Sequence, residues 1–519
     1  MSKQFSAQEN SINSLADAFI VSIPETQPNS PPWSHIAYDL LKQAGPNALR
    51  GAIVSSRYFL TAYFLGRLDE RLLAPNTLIS LMESLLVVLG SRSLNSISSE
   101  IGRLKGKGEL ENIGPVVRQG TLYASVIGIS IGALYFANYR ILQLFGQHEF
   151  AVDEARKYFE AAAPGYLALM LFTVQQRFYQ GIKNSAAALY SSALHTALTM
   201  LLSYPPMFGL GVIPKLELTG AGYAFTVATW VTLIIHTGYL RFAKSWRDYA
   251  IFETKDTFNL SKIIGLARIG IPSGIQCAME NAANITNSIF LGRFGGLNAL
   301  TADQVSLQLA QFISIVTNGL GGAINPCVST ALGKKAYHDA SRYGYTGMLM
   351  GTALPVFSFA LLFPLHESFT SIFLNIHNPN NTTIITLAKY FIGLECMRQL
   401  FTSAQVTTSG ALQGYKDTKF PMIATIACAF VVNLALLFLF ADGLKSNLQT
   451  LFGIKAVGFF MAAIFNLGRF AMKSHEVTDA DKVEIAGQST LHRLFRGVKL
   501  TLTNNQHGAQ TDYLSATAV

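Results

Sequence analysis

A row of polar side chains interrupts an otherwise apolar stretch near the middle of the sequence. Its members recur at intervals of four, four and three residues, which places them on one face of a helix: Gln276, Glu280, Asn284 and Asn287. A carboxyl group in an apolar pocket binds a proton more tightly than in water, and neighbouring amide oxygens can help it to hold a sodium ion. The spacing therefore predicts that Glu280 takes up and releases a cation.

A second acid and a second row of amides follow in the next apolar segment. Asp303 lies near the start of that segment, where we expect it to be wet, so it is a secondary candidate for cation binding. We expect Asn284 and Gln304 to contribute amide oxygens to the bound cation. The amides that share one helical face in this segment are Gln304, Gln308, Gln311 and Asn318.

Charged side chains also occur inside three other apolar segments. Arg57 and Glu83 lie in the first and second segments, and we expect them to pair with each other. Glu395 and Arg398 are three residues apart and can pair on one turn of a helix, with Gln399 and Thr402 on the same face. The other interpretation of these polar rows is that they form hydrogen bonds that hold helices together.

The composition indicates the environment of these side chains. Of the 519 residues, 50% are hydrophobic and 13% are charged, whereas a soluble chain carries about 25% charged residues. Apolar blocks such as 122–142, 222–240 and 421–440 match the ~30 Å core of a bilayer. We therefore predict a polytopic membrane protein, in which a carboxylate at mid-bilayer costs at least ~2.5 kcal/mol and marks a functional site.

The apolar blocks predict an all-α fold of about twelve transmembrane helices. Their expected boundaries are near 44–66, 72–97, 115–142, 158–180, 185–211, 218–241, 263–292, 298–331, 343–374, 384–413, 419–441 and 451–473. The four cysteines all fall inside these spans, where we expect buried free thiols: Cys277, Cys327, Cys396 and Cys428.

Basic residues predict the orientation. The loops on the same side as both termini hold roughly twice as many Lys and Arg residues as the opposite loops, which favours cytoplasmic termini. The net charge of +9 is then a topology signal and requires no nucleic-acid partner. In the C-terminal tail, the segment LHRLFRGVKL at 491–500 has the pattern of a basic amphipathic helix, either on a membrane surface or solvated.

An internal repeat organises the spans. The turn QGIKNS at 180–185 returns as QGYKDT at 413–418, and GKGELENIGPVVRQG at 106–120 matches GKKAYHDASRYGYTG at 333–347. Gly181 and Gly414 end a helix in these turns, a position where we expect a left-handed backbone. The repeat predicts two lobes of six spans related by a pseudo-two-fold axis along the membrane normal, with a cavity between them.

The lobes divide the chain into five parts. These are a polar N-terminal tail at 1–43, a first lobe at 44–242, a linker at 243–262, a second lobe at 263–474 and a C-terminal tail at 475–519. The side chains predicted to line the central cavity are Gln276, Gln308, Gln311, Glu395, Arg398, Thr402, Arg57 and Glu83.

The chain resembles the multidrug and toxic compound extrusion (MATE) transporters, most closely their NorM-like branch, in diverged form. The resemblance rests on GALQGYKDTKFP at 410–421, ALTADQVSLQL at 299–309, IGIPSGIQCAMEN at 269–281 and the loop ALGKKAYHDASRYGYTG, and it covers roughly residues 44–474. It implies that Glu280, eight residues after Pro272, is the carboxylate that couples transport to a cation. The chain departs from the family pattern at Thr402 and near Thr61, where NorM-like members carry acids.

The resemblance implies an antiporter, coupled to protons or sodium, that exports amphipathic and often cationic compounds by alternating access. One alternative is a flippase for lipid-linked saccharides, for which Arg57, Arg177 and Arg398 would hold pyrophosphate. Another is a non-transporting receptor or scaffold. We expect no enzyme activity and no cofactor besides the coupling ion, since no hydrolase, phosphate-loop or zinc pattern is present. The expected partners are a small-molecule substrate and membrane lipids, for a monomer in the plasma membrane, as in a bacterial inner membrane.

Overall fold

The fold is helical throughout the residues that the structure, a computed structural model, describes. These are 31–144, 149–209, 214–253, 258–362, 364, 382–440 and 453–478, and they contain no strand. The basic segment at 491–500 lies outside the described residues. The helices are α1 (Trp33–Leu68), α2 (Leu73–Ser93), α3 (Asn95–Lys107), α4 (Ile113–Leu144), α5 (Glu149–Gly181), α6 (Ser185–Phe208), α7 (Glu217–Phe242), α8 (Leu260–Gly333), α9 (Tyr337–Leu362), α10 (Thr382–Gly414), α11 (Lys419–Ala424), α12 (Asn433–Leu439) and α13 (Gly453–Thr478).

These helices account for the twelve predicted spans within the described ranges. The second span combines α2 and α3, and the eleventh combines α11 and α12 through a π-helix at Thr425–Val432. The seventh and eighth spans both lie in α8, which is broken at Gly296, where the backbone is left-handed with φ of 70°. Helix α1 begins at Trp33, before the predicted position 44, because the polar residues that precede the apolar block also form helix.

Seven helices of the described part are long and apolar enough to cross a membrane by length and composition alone. They are Pro75–Lys107, Ile113–Phe136, Ser185–Phe208, Glu217–Phe242, Thr301–Gly333, Lys419–Leu439 and Gly453–Thr478. Those outside this set include the helices that carry Arg57, Glu280 and the Glu395–Arg398 pair. Their polar rows lower the mean hydropathy, and such rows are tolerated only where they face protein or water.

The internal repeat is visible in the backbone of the turns. Gly108 and Lys335, which follow α3 and α8, both have a left-handed backbone, with φ of 79° and 58°. Lys183 and Lys416, which follow α5 and α10, do so as well, with φ of 60° and 63°. The expectation that Gly181 and Gly414 are the left-handed residues is therefore wrong, since the lysine two positions later turns the chain.

The two turn glycines serve close packing instead. A Cβ on Gly181 would lie 2.7 Å from the Cβ of Ile101, and one on Gly414 would lie 2.8 Å from the Cβ of Val328. These two contacts are equivalent under the repeat. In the first half α5 crosses α3, and in the second half α10 crosses α8, without room for a side chain at the glycine.

The halves of the repeat also pack against each other, near their matching turns. Ser99 donates a hydrogen bond to Asn325 Oδ1 at 2.7 Å, and these residues are 226 positions apart. Arg92 and Asn318, also 226 apart, are joined by a hydrogen bond of 2.7 Å. Lys416 pairs with Glu100 at 2.5 Å across the same boundary. We call this side of the protein, which carries the turns after α3, α5, α8 and α10, the turn face.

Candidate functional site

The carboxylate of Glu280 lies in α8, fixed by amide groups. Gln276 Nε2, one turn earlier in α8, donates to its Oε1 at 3.1 Å, and Gln405 Nε2 in α10 donates to the same oxygen at 2.7 Å. Gln276 is nearly buried and also donates to Ser409 in α10 at 2.9 Å. Gln276 and Glu280, the first two members of the predicted row, therefore face α10.

Gln405 is a site residue that the sequence-based site prediction omitted. It is fully buried, and besides Glu280 it donates to Thr425 Oγ1 at 2.9 Å, at the first residue of the π-helix. Such π segments often mark functional sites because they shift a helix register locally. The omission has a simple cause: Gln405 lies 125 positions from Glu280, and spacing within one helix cannot reveal such a contact.

The other two members of the α8 row form no hydrogen bond with Glu280 within the described residues. Asn287 is fully buried and donates to the carbonyl of Ala283 at 2.7 Å. Asn284 is half-buried, and its Oδ1 has no hydrogen-bond partner within the described residues. No hydrogen bond joins either asparagine to Glu280 in that part of the chain.

Asp303 is not wet, contrary to the expectation from its position near the start of a span. Its exposed fraction is 0%, and Lys455 of α13, itself 1% exposed, lies 3.4 Å away. Ser288 donates a further hydrogen bond to Asp303 Oδ2 at 3.1 Å. Because α8 turns back at Gly296, the start of the eighth span is packed against other helices rather than open to water. Lys455 was absent from the predicted site, and a lone lysine in an apolar block gives no sign of its partner.

The amides that follow Asp303 lie in a different environment. Gln304 and Gln311 are exposed, and Gln308 is half-buried. The exposure of Gln304 and Gln311 is compatible with contact to water, one of the two surroundings that the sequence allowed. Across the described residues, no hydrogen bond connects Gln304 to Glu280.

Glu395 and Arg398 form the predicted pair on α10. Arg398 Nε donates to both carboxylate oxygens of Glu395 at 2.9 Å, and its Nη2 also donates to Glu395. Arg398 Nη1 reaches Thr402 Oγ1 at 3.0 Å, and the guanidinium lies over the ring of Phe459. Arg398 therefore binds both Glu395 and Thr402, and it neutralises the charge of Glu395.

Arg57 and Glu83 pair in the first half, as predicted, at 3.7 Å. Glu83 accepts hydrogen bonds from Tyr166 at 2.5 Å and from Tyr158 at 3.1 Å, which satisfies its buried carboxylate. The guanidinium of Arg57 lies over the rings of Tyr58 and Phe225. These groups line a cavity between α1, α2, α5, α6 and α7, together with Thr61, Asn76, Ser80 and Thr199. Of the arginines expected for a flippase, Arg57 and Arg398 are thus already neutralised by acids.

Comparison with known proteins identifies the family. The MatE family model matches residues 46–205 and 272–439, which together make up more than half of the chain and fall on both halves of the repeat.

The chain belongs to the MatE family.

Two curated relatives agree with this MATE assignment. A protein of Mannheimia succiniciproducens named "Probable multidrug resistance protein NorM" is 26% identical over 350 residues, or 67% of this chain and 74% of that protein. A protein of the same name from Deinococcus radiodurans is 24% identical over 444 residues, or 84% of this chain and 95% of that protein. The predicted resemblance to the NorM-like branch is thus confirmed.

A solved structure agrees on the fold of this MATE protein. The outward-facing conformation of a multidrug resistance MATE family transporter of the MOP superfamily superposes with a TM-score of 0.77 at 17% identity, over 85% of this chain and 96% of that one. The prediction of an all-α, multi-pass membrane protein with about twelve spans in two lobes is confirmed. The residue bounds of the five parts of the chain stay a prediction.

Proposed function

We propose that this MATE protein is a proton-coupled antiporter that exports amphipathic, often cationic compounds, with Glu280 as the coupling carboxylate. The names of its curated relatives, which describe multidrug resistance proteins, support the substrate class. The residues around Glu280 support the coupling role. We place the protein in a plasma membrane of the bacterial inner-membrane type, as a monomer with both termini in the cytoplasm.

The pairing of the buried acids is the observation that carries the proposal. Glu83 pairs with Arg57, Asp303 with Lys455 and Glu395 with Arg398. A buried carboxylate paired with a cation is favoured in its ionised form, because its neutral form would leave the partner charge buried without compensation. Glu280 alone among these four acids has no ion pair in the described part of the chain, so it can change protonation state at the smallest cost.

The amides beside Glu280 suit either protonation state. An amide donates through its NH₂ group to a carboxylate and accepts through its carbonyl from a neutral carboxylic acid. Gln405 Oε1 is buried and has no partner among the described residues, so rotation of this amide would present an acceptor to protonated Glu280. Gln405 can therefore stabilise Glu280 both before and after proton uptake.

The same contacts favour a proton over sodium. Hard cations bind to several oxygen ligands, whereas the two groups that contact Glu280 from α8 and α10 present N–H donors. Asp303 and Glu395, the other acids of this half, are occupied by Lys455 and Arg398. Thr402, where NorM-like members carry an acid, is bound to Arg398. The other acids of this half that could join Glu280 in a sodium site are thus engaged in ion pairs.

Alternating access would require the contacts at the turn face to break. Ser99, Arg92 and Glu100 of the first half bind Asn325, Asn318 and Lys416 of the second half. The turn face is the side that the basic loops predict to be cytoplasmic, so we assign this structure to an outward-facing state. Export then needs a second state in which these polar contacts are lost and the turn face opens.

A disulfide between the halves tests this cycle. The four native cysteines are first replaced by alanine. Into this cysteine-free protein we introduce Ser99→Cys and Asn325→Cys, at two residues that are hydrogen-bonded to each other. We expect diamide oxidation to stop ethidium efflux from cells and dithiothreitol to restore it. The matched control joins Gln176→Cys to Ser191→Cys, which are hydrogen-bonded at 2.6 Å within the first half. Efflux that persists with the first pair fully oxidised would refute movement between the halves.

A further inference from the structure

Three arginines of the first half lie near one another without a carboxylate partner. Arg50 of α1 lies within electrostatic range of Arg92 at the end of α2, and Arg177 of α5 lies within range of both. Arg177 Nη2 donates to the carbonyl of Ser91, the neighbour of Arg92, at 3.0 Å. None of the three belongs to the ion pairs described above, and in the described ranges none forms an ion pair at all.

Hydrogen bonds fix the arrangement of this arginine cluster, which consists of Arg50, Arg92 and Arg177. Arg177 Nη1 donates to Gln180 Oε1 at 2.7 Å, and Gln180 Nε2 donates to Asn47 Oδ1 at 3.3 Å, one turn before Arg50 on α1. Arg92 Nη2 donates to Asn318 Oδ1 at 2.7 Å, across the boundary between the halves. The cluster is therefore held by three helices of the first half and attached to the second half.

The cluster presents donors that lack acceptors. The Nε atoms of Arg50 and Arg177 and the Nδ2 atom of Asn47 are buried without a hydrogen-bond partner in the described part of the chain. An unsatisfied buried donor is unfavourable, and more so if it is charged. Arg92 also lies within electrostatic range of Glu280, but no carboxylate contacts any of the three guanidinium groups. What the site lacks is therefore an acceptor that carries negative charge.

Each arginine of the cluster is half-buried, so part of each side chain is exposed. The cluster is also specific to the first half. At the repeat offset of 226 residues, Arg92 corresponds to Asn318 and Arg50 corresponds to Gln276. Neither of these corresponding residues in the second half is charged. The shared architecture of the halves does not require these charges, whose mutual repulsion in an apolar protein is unfavourable.

We propose that Arg50, Arg92 and Arg177 form an anion-binding site between the two halves, which takes the oxyanion group of an acidic or zwitterionic ligand. Guanidinium groups bind carboxylate and phosphate oxygens through paired N–H donors, and three of them near one another suit a group with several oxygens. The site goes beyond the proposed coupling function, because it requires no role for Glu280, and binding rather than transport tests it.

Two probes of the same shape test the site on the full-length protein. In a nonionic detergent, we expect 1-naphthoate to bind in equilibrium dialysis and the uncharged 1-naphthamide not to bind. Arg50→Gln is the principal variant, because Arg50 has no hydrogen bond or ion pair within the described residues and its loss removes only repulsion. We expect this variant, and Arg177→Gln, to bind 1-naphthoate about tenfold more weakly or worse, since hydrogen bonds to charged groups contribute at this level.

A control variant and a binding measurement in lipid nanodiscs complete the test. Arg103→Gln removes the same charge from a half-buried arginine eleven residues beyond Arg92 and should leave binding unchanged. Repeating the dialysis in phosphatidylcholine nanodiscs with and without phosphatidylglycerol distinguishes the sources of the oxyanion. Competition by phosphatidylglycerol assigns the site to a lipid phosphate, and its absence assigns it to a soluble ligand.

Three results would overturn the anion site. One is equal binding, or no binding, of 1-naphthoate and 1-naphthamide by the unaltered protein. Another is an equal loss of binding in Arg103→Gln and Arg50→Gln, which would show a nonspecific effect of charge. The third is full binding by both Arg50→Gln and Arg177→Gln. Because the first comparison uses the unaltered protein, a variant that does not fold leaves the proposal testable.

Discussion

Gly106 and Gly333 occupy matching positions in the two halves of the repeat, and they pack directly against each other. A Cβ on Gly106 would lie 2.9 Å from the Cα of Gly333, and a Cβ on Gly333 would lie 3.0 Å from the Cα of Gly106. Two equivalent residues can touch only near the axis that relates them. The pseudo-two-fold axis therefore passes between α3 and the end of α8, and the halves are closest at the turn face.

Adding a methyl group at this contact should destabilise the closed turn face. In Gly333→Ala, the new Cβ would lie 2.1 Å from the carbonyl oxygen of Arg103, so the backbones must separate. Overpacking of this kind costs about 1–3 kcal/mol in free energy of unfolding. Thermal unfolding in detergent measures it, with Gly265→Ala as the control, since nothing lies within 4 Å of a Cβ at Gly265. Equal unfolding temperatures for the two variants would disprove the close contact.

The turn glycines should behave as packing residues. We expect Gly181→Ala and Gly414→Ala to lower the free energy of unfolding by about 1–3 kcal/mol each, because the new methyl groups meet Ile101 and Val328. Lys183→Gly should not lower it, since glycine adopts the left-handed backbone of Lys183 more readily. If Lys183→Gly were the least stable variant in thermal unfolding, the claim that Gly181 and Gly414 act through packing rather than backbone conformation would be contradicted.

The sequence was sufficient to predict the membrane-spanning helices and their internal repeat. Apolar blocks mark spans because the bilayer sets their length, and the recurrence of QGIKNS as QGYKDT shows a duplication without any structure. Pairs within a helix or between neighbouring spans were also predictable. Glu395 with Arg398 and Arg57 with Glu83 are examples, because few other charges are near enough in the apolar segments to neutralise them.

Contacts between distant segments were not predictable in this way. Lys455 pairs with Asp303 from 152 positions away, and Gln405 reaches Glu280 from 125 positions away. A single sequence contains the residues but not the helix neighbours that bring them together. The burial of Asp303 was misjudged for the same reason, since its partner Lys455 comes from a helix far away in the sequence.

Asp303 and Lys455, the buried ion pair of the second half, should be strongly coupled in their effects on the free energy of unfolding. Asp303→Asn leaves the ammonium group of Lys455 buried without a counter-charge, which costs about 3–5 kcal/mol in stability. Replacing both residues, in Asp303→Asn with Lys455→Met, should recover much of this loss. A double-mutant cycle measured by thermal unfolding gives the coupling free energy. Losses that simply add in the double variant would mean that the pair does not form.

The proposed orientation has a direct test in cells. Alkaline phosphatase, which is active only outside the cytoplasm, should be inactive when fused after Val519 and active when inserted between Leu68 and Leu73. The first position follows the C-terminal tail, and the second lies in the turn between the first two spans. Activity at both positions, or at the C-terminus alone, would contradict cytoplasmic termini and with them the outward-facing assignment.

The central proposal is that Glu280 couples export to protons. Glu280→Gln keeps the shape and the hydrogen bonds to Gln276 and Gln405 but cannot titrate. The substitution breaks no ion pair, since Arg398 pairs with Glu395.

The decisive measurement is ethidium efflux driven by an imposed pH gradient, in vesicles that contain equal amounts of folded protein. Glu160→Gln, which alters an exposed acid of α5, serves as the control and should keep full efflux. We expect Glu280→Gln to reach the membrane normally and to show no more efflux than vesicles without the protein. Full pH-driven efflux by Glu280→Gln would contradict the proposal, and efflux driven only by a sodium gradient in the unaltered protein would contradict the choice of proton.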